Sequence, residues 1–165
     1  MAQKQKMDDL FLHILQDIYY AERHILKVLP RIAKASGNDQ LKQALQQQRE
    51  ETQTQIERLQ KVFESMGKRA RSVTCEALNG IVEEAEEIVE EFDEGPVRDA
   101  GLLSCAQAVE HYQMSRYGTL VSWAKALGHT EAVTLLGESL AEEQRAEQLL
   151  GQIANEALSR QAKAA

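Results

Sequence analysis

The 165-residue sequence has few of the residues that interrupt helices or build sheets. It contains two prolines and nine glycines, and aromatic residues make up 5% of the chain. An all-β fold needs many turns, so this shortage of turn-forming residues argues against one. Ala, Leu, Glu, Gln, Lys and Arg, which favour helices, are abundant. The composition predicts an all-α protein with one domain over residues 1–165.

Membrane-spanning and secretory segments are also missing from the pattern. No apolar run reaches the roughly 20 residues that a transmembrane helix needs, and the N-terminus leads directly into an amphipathic run. Cys75 and Cys105 lack the spacing of a metal or redox motif, so we interpret them as reduced thiols. These features predict a cytoplasmic protein.

The charge balance is acidic, with a formal net charge of -7. The longest basic cluster is Lys68-Arg69-Ala70-Arg71, which is too short for the basic footprint of a nucleic-acid-binding surface. We therefore expect no nucleic-acid partner.

Apolar residues at helical spacing predict four long helices, with an additional short helix in the crossover between the second and third. The predicted ranges are about 6–35, 39–66, 74–92 (the short helix), 96–127 and 130–158. The ordered part is expected to cover about 6–158, and the tail over 159–165 is expected to fray.

A faint internal repeat relates the two halves of the chain. Lys34-Ala35-Ser36-Gly37 is similar to Lys125-Ala126-Leu127-Gly128, and the same offset superposes Glu51 on Glu142 and Glu22 on Gln113. Two similar helical hairpins joined by a long crossover predict a four-helix bundle with pseudo-twofold symmetry.

Each long helix carries an acid near the middle of its length, on or beside its apolar face: Glu22, Glu51, Glu110 and Glu143. Burying an unpaired carboxylate costs several kcal/mol, so such a residue normally has a partner or a metal ion. Carboxylates that converge from several helices can neutralise and bridge two divalent cations. The pattern predicts a site for two iron or manganese ions.

Neighbouring residues extend this predicted metal site and leave alternatives open. Gln113, Gln55 and Glu147 lie one turn after Glu110, Glu51 and Glu143, respectively, and can serve as further or weaker ligands. Glu142 rather than Glu143 is an alternative ligand. Glu22 and Glu51 lie at the flanks of their apolar stripes, where a surface ion pair is the alternative. Tyr112 and Tyr117 are expected to pack in the core, the alternative being a hydroxyl that lines a polar site.

Several longer motifs carry a family resemblance. They are Val109-Glu110-His111-Tyr112, Tyr117-Gly118-Thr119-Leu120, Pro96-Val97-Arg98-Asp99-Ala100, Leu15-Gln16-Asp17-Ile18-Tyr19-Tyr20-Ala21-Glu22 and Glu50-Glu51-Thr52. With them the chain resembles the YciF-like family of bacterial stress proteins over roughly residues 8–158. The resemblance implies a ferritin-like helical bundle, a homodimer, a di-metal site and an association with the stress response.

Two residues depart from that family pattern. Gln48 and Gln113 stand where relatives often have His and Glu, respectively. Each change replaces a strong metal ligand with a weak, neutral one.

The leading hypothesis is a ferritin-like protein that binds iron or manganese at a di-metal carboxylate site, with no catalytic residues assigned. The alternative is a non-enzymatic helical dimer or scaffold without bound metal, whose buried polar residues fix the helix register; the missing histidines favour it. A third hypothesis, iron storage in a hollow shell, depends on an assembly that the sequence does not reveal.

Overall fold

The computed structural model describes residues 5–164, and those residues form helices and connecting loops without a strand. The helices are α1 (Met7–Ala35), α2 (Asp39–Ser65), α3 (Glu76–Glu91), α4 (Pro96–Leu127) and α5 (Thr130–Ala164). The predicted ferritin-like bundle with a short crossover helix is confirmed. Predicted and observed ends agree within two residues from α1 to α4. Only α5 differs, because it continues to Ala164 and passes Ser159, where fraying was expected to begin.

The four long helices pack in the cyclic order α1, α2, α5, α4. Contacts between their side chains show that neighbours run antiparallel. Ser36, directly after α1, donates a hydrogen bond to Asp99 near the start of α4, while Tyr117, late in α4, reaches Glu22 in the middle of α1. Antiparallel neighbours bring the middles of all four helices to one level of the bundle.

The short helix α3 returns the chain along the outside of the bundle, where it packs against α4 and α1. It approaches α4 closely at Gly101, where an added Cβ would lie 2.8 Å from Ile88 Cγ2. Because a methyl group does not fit at that distance, glycine is the residue that permits this packing. The crossover therefore covers one side of the bundle.

Local sequence signals explain where the helices begin and end. The Asn38 side chain accepts a hydrogen bond from the Leu41 amide at the start of α2, at 3.0 Å. Pro96 occupies the first turn of α4, where its missing N–H costs nothing. Gly128 ends α4 with φ of 78°, a left-handed conformation that glycine adopts without strain.

The core consists mainly of leucine, isoleucine and alanine from all five helices. Three residues that continue the apolar stripes of the sequence are exposed: Leu10 by 43%, Phe92 by 40% and Leu149 by 38%. They lie at the edges of their apolar stripes, and only part of each stripe is covered by a neighbouring helix. Cys75 and Cys105 are free thiols, as expected. No helix within residues 5–164 has the length and hydropathy needed to cross a membrane.

Candidate functional site

The middle of the bundle contains a layer of polar side chains within the apolar core. Five of them form what we call the carboxylate cluster: Glu22 of α1, Gln48 of α2, Glu110 and Gln113 of α4, and Glu143 of α5. Each is at most 6% exposed. All four long helices thus contribute to one buried polar site.

Glu22 is the acid with the most hydrogen bonds in the cluster. Its Oε1 accepts a hydrogen bond from the Tyr117 hydroxyl at 2.7 Å, and both carboxylate oxygens lie 3.0 Å from Gln113 Nε2. Glu22 is fully buried, because α1 packs against α2, α3 and α4 and little of its circumference faces solvent. The alternative of a surface ion pair is therefore wrong for Glu22, and the Tyr117 hydroxyl lines the polar site.

Gln113 connects two of the acids. Besides its contacts with Glu22, its Nε2 lies 3.3 Å from Glu143 Oε1. The amide has two N–H groups for three carboxylate oxygens, so its hydrogen bonds are shared. Glu22 and Gln113 lie 91 residues apart, the offset of the internal repeat, so equivalent positions of the two halves meet at the centre of the bundle.

Acceptor atoms outnumber donors around Glu110. Gln48 Nε2 donates to Glu110 Oε1, but three buried oxygens nearby accept no hydrogen bond from any described residue: Glu110 Oε2, Gln113 Oε1 and Gln55 Oε1. Leaving a buried polar atom without a partner costs about 1–3 kcal/mol. The described residues therefore place too few hydrogen-bond donors around these three oxygens.

Burial makes the acids of the cluster hold protons. Loss of solvation, followed by the negative charge of Glu143, raises the pKa of Glu22 to about 8. Desolvation raises the pKa of Glu110 to about 7 and that of Glu143 well above its ordinary value, in the latter case helped by a hydrogen bond to Glu110. Burial also raises the pKa of Tyr117, which keeps its hydroxyl a donor. Near neutral pH the isolated site is therefore partly protonated.

Glu142 has a different partner from its neighbour Glu143. Both of its oxygens accept hydrogen bonds from Arg58 of α2, at 2.7 and 2.8 Å, and Arg58 Nε lies 3.0 Å from Glu138. We call Arg58, Glu138 and Glu142 the arginine-paired layer. Its ion pairs occupy Glu142, so Glu143 is the acid that α5 contributes to the carboxylate cluster.

The two remaining predicted ligands lie at the edge of the cluster. Glu51 is half-buried and accepts a hydrogen bond from Gln47 Nε2 at 3.0 Å. Glu147 is 27% exposed, and its Oε1 lies 3.5 Å from Nε2 of the exposed His111. The structure brings together Glu22, Glu110, Gln113 and Glu143, whereas Glu51 and Glu147 lie between the cluster and solvent.

The chemistry of the donor set fits a hard divalent cation. Three carboxylates supply oxygen donors, and the oxygens without hydrogen-bond partners lack the positive charge that such an ion carries. The arrangement of these side chains is less suited, because Gln113 Nε2 lies among the oxygens of Glu22 and Glu143. Within the described part of the chain, no three His, Cys, Asp or Glu side chains are already arranged to hold a metal ion. A cation between Glu22 and Glu143 requires the Gln113 amide to turn.

Three buried residues of the polar layer come from α2, and only Thr52 among them was not considered as a ligand position. They are Gln48 with its contact to Glu110, Gln55 with its hydrogen bond to Glu142 at 3.0 Å, and Thr52, whose hydroxyl donates to the Gln48 carbonyl at 2.7 Å. The signal that identifies them is the polar interruption of the apolar stripe of α2 between Leu45 and Ile56.

Comparisons with known proteins agree with the fold and with one another. A profile of the family described as a domain of unknown function (DUF892) matches residues 6–163. Protein YciF of Escherichia coli (strain K12) is 39% identical over 138 residues, which cover 83% of both chains.

Two solved structures have the same fold. The E. coli stress protein YciF matches with a TM-score of 0.90 and 38% identity, over 94% of this chain and 99% of that one. YcfI of Rhodopseudomonas palustris, described as a candidate structural protein, matches with a TM-score of 0.88 and 45% identity, over 92% and 97%.

Proposed function

The chain belongs to the DUF892 family, and from that premise we propose that it is a stress-associated protein that binds divalent iron or manganese ions in its carboxylate cluster. The observation that carries the proposal is the excess of acceptors: among the three buried carboxylates and the amides next to them, three oxygens receive no hydrogen bond from a described residue, and one of these belongs to Glu110 itself. Only protons or a cation can supply the missing positive charge.

The residues that would hold the metal differ in how strongly they would bind it. Glu22, Glu110 and Glu143 are the carboxylates with the least solvent around them, and Glu51 adds a fourth acid at the edge. Gln113 would contribute its amide oxygen as a weak ligand, and Glu147 acts from outside through its charge on Glu110. A bound iron or manganese ion supplies Lewis-acid and redox chemistry. Four carboxylates balance the charge of two divalent ions, which is the di-metal form of the proposal.

The second candidate function is a metal-free structural scaffold. Two observations favour it: the Gln48 and Gln113 amides already donate to the acids, and the described residues present no preformed three-ligand set. In such a protein the polar layer fixes the register of the helices, and protons on the acids take the place of a cation.

Glutamine substitutions separate the two functions. Glu110→Gln or Glu143→Gln removes a buried charge with little change in shape. For a metal site we expect the chelator-treated variant to unfold at a higher temperature than the wild type, and to gain little stability from added Mn²⁺. Binding at a hundredfold excess over Kd is worth about 2.7 kcal/mol, which a thermal melt resolves.

The control is Glu87→Gln, which removes an exposed acid of α3 and should leave both melts unchanged. A scaffold predicts the opposite pattern at the cluster, with variants that are less stable than the wild type and a wild type that does not respond to metal. Finding this pattern at both Glu110 and Glu143 would refute the metal proposal.

Two further parts of the proposal rest on the family resemblance and on composition. The homodimer is to be tested by light scattering of the purified protein. The two free thiols fit a reducing compartment, and we keep the cytoplasm as the proposed location.

A further inference from the structure

A cleft of about 210 Å³ between α2 and α5 leads to the carboxylate cluster. Gln48 and Glu110 line it on the inside, and Glu51, Arg145 and Leu149 line it on the outside. Glu110 is fully buried, and its Oε2 accepts no hydrogen bond from a described residue. The cleft has room for several water molecules. A buried carboxylate with an unpaired acceptor oxygen therefore borders a cleft of mixed polar and apolar lining that reaches the surface.

A second, smaller cavity of about 40 Å³ touches Gln48 from the side of α1, α3 and α4. Apart from Gln48, its lining consists of alkyl side chains and the Cys105 thiol. Moving an ion through such surroundings carries a large desolvation penalty. The α2–α5 cleft is lined by Gln47, Gln48, Glu51 and Glu110 as well as by alanine and leucine, so it is the lower-energy of these two routes for an ion.

We propose that the α2–α5 cleft is the access route by which divalent cations reach Glu110, and that Glu51 and Arg145 at its mouth set the rate of loading. The inference rests on the proposed function, since it concerns how the same site is filled. Glu51 attracts an arriving cation, whereas the exposed Arg145 repels it. Because these two residues at the mouth of the cleft carry opposite charges, the loading rate should depend on each of them. Removing the charge of Glu51 should lower the rate, and removing that of Arg145 should raise it.

The test is stopped-flow mixing of the full-length protein with Mn²⁺, with a fluorescent chelator reporting the free ion. At low ionic strength Arg145→Glu should speed association by about three- to tenfold, as expected for steering of a cation, with a smaller effect at high salt. Glu51→Gln should slow it. The matched control is Arg49→Glu, which makes the same charge change at an exposed position of α2 that does not line the cleft.

A steric variant tests the route without changing charge. Ala146 lines the cleft from α5, so Ala146→Leu should fill part of it and slow association and dissociation by a similar factor, with Kd nearly unchanged. The control is Ala146→Ser, because serine is close in size to the alanine of the wild type and leaves the cleft open. Circular dichroism melts check that each variant is folded. If Ala146→Leu fails this check, Ala44→Leu on the opposite wall of the cleft replaces it.

The outcomes separate the inference from the function. If the wild type binds Mn²⁺ but Arg145→Glu and Ala146→Leu load at the wild-type rate, the route is wrong and the metal site stands. An equal effect of Arg49→Glu and Arg145→Glu also overturns it, because the effect is then one of overall charge. If the wild type binds no Mn²⁺ at equilibrium, the proposed function fails and the access route fails with it.

Discussion

Glu142 and Glu143 are adjacent on α5, yet they belong to two polar regions that treat charge in opposite ways. In the arginine-paired layer, Glu142 receives two hydrogen bonds from Arg58. In the carboxylate cluster, Glu143 receives a shared amide hydrogen from Gln113 at 3.3 Å and lies in hydrogen-bond contact with another acid, Glu110. One region brings its own cation in the form of a guanidinium, whereas the other gathers three acids and no basic side chain.

Compared with an ion pair, the carboxylate cluster is a costly way of fixing helix register. An ion pair such as Arg58–Glu142 aligns α2 with α5 and satisfies both partners. The cluster achieves a similar connection between helices only with raised carboxyl pKa values and with acceptors that lack donors. An arrangement that costs stability in this way is typical of functional sites. Substitutions in the carboxylate cluster and in the arginine-paired layer should therefore have different effects on stability.

The largest effect is expected when the arginine-paired layer loses its guanidinium group. Arg58→Ala leaves Glu142, only 13% exposed, without its partner. We expect a loss of about 3 kcal/mol in the free energy of unfolding, measured by urea denaturation. The control is Arg160→Ala, whose pair with Glu156 is 69% and 53% exposed and is worth less than about 1 kcal/mol. Equal losses would show that the arginine-paired layer is no more stabilising than a surface ion pair.

The second-largest effect is expected when a further acid is added to the carboxylate cluster. Gln113→Glu removes the amide that donates to Glu22 and Glu143 and places a fourth carboxyl group between them. In the presence of chelator we expect a loss of about 2 kcal/mol in unfolding free energy.

Combining Gln113→Glu with Gln48→His should make the site bind metal more tightly than the wild type does. The double variant restores a strong nitrogen ligand and a carboxylate, so Mn²⁺ affinity by calorimetry should rise by about ten- to a hundredfold. Unchanged affinity would mean that positions 48 and 113 do not face a metal ion.

The pH dependence of stability should also distinguish the regions. The folded pKa of Glu22, about 8, exceeds its ordinary value of 4.5, so the folded chelator-treated protein binds more protons than the unfolded chain between these values. Its stability therefore falls as pH rises from about 5 to 8, by about 1 kcal/mol per pH unit for each such carboxyl group. Glu22→Gln should flatten this slope in melts recorded across that range. A slope that Glu22→Gln leaves unchanged would place the titrating groups elsewhere.

Much of this arrangement could be predicted from the sequence because helix ends depend on local signals. Pro96 and Gly128 bound α4 where they were expected to. The convergence of Glu22, Glu110 and Glu143 was also predictable, since each lies on or beside an apolar stripe. What the sequence could not decide was the choice between Glu142 and Glu143. The two positions differ by one 100° step on α5, and the choice depends on where Arg58 of α2 lies.

The burial of Glu22 was not predictable for a related reason. How much of a helix is covered depends on how many helices pack against it, and α1 has three neighbours. The pattern of α1 alone does not show that α3 returns along its side. Leu149 is the converse case, since it continues the apolar stripe of α5 but lies beyond the part that its neighbours cover.

The smallest effect is expected at Glu147, and it tests where the cluster ends. Its carboxylate is 27% exposed and lies 3.5 Å from an imidazole nitrogen of His111, which is itself 63% exposed. A pair so open to solvent contributes less than about 1 kcal/mol. Its charge contributes, after burial and the charges of Glu22 and Glu51, to the raised pKa of Glu110, so we expect Glu147 to act on the cluster through space rather than as a ligand. Glu147→Gln should therefore change Mn²⁺ affinity by less than about threefold and the melting temperature by a degree or two. A loss of binding as large as that of Glu143→Gln would move the site one turn along α5 toward solvent. The contrast between a buried cluster and its exposed edge would then be wrong.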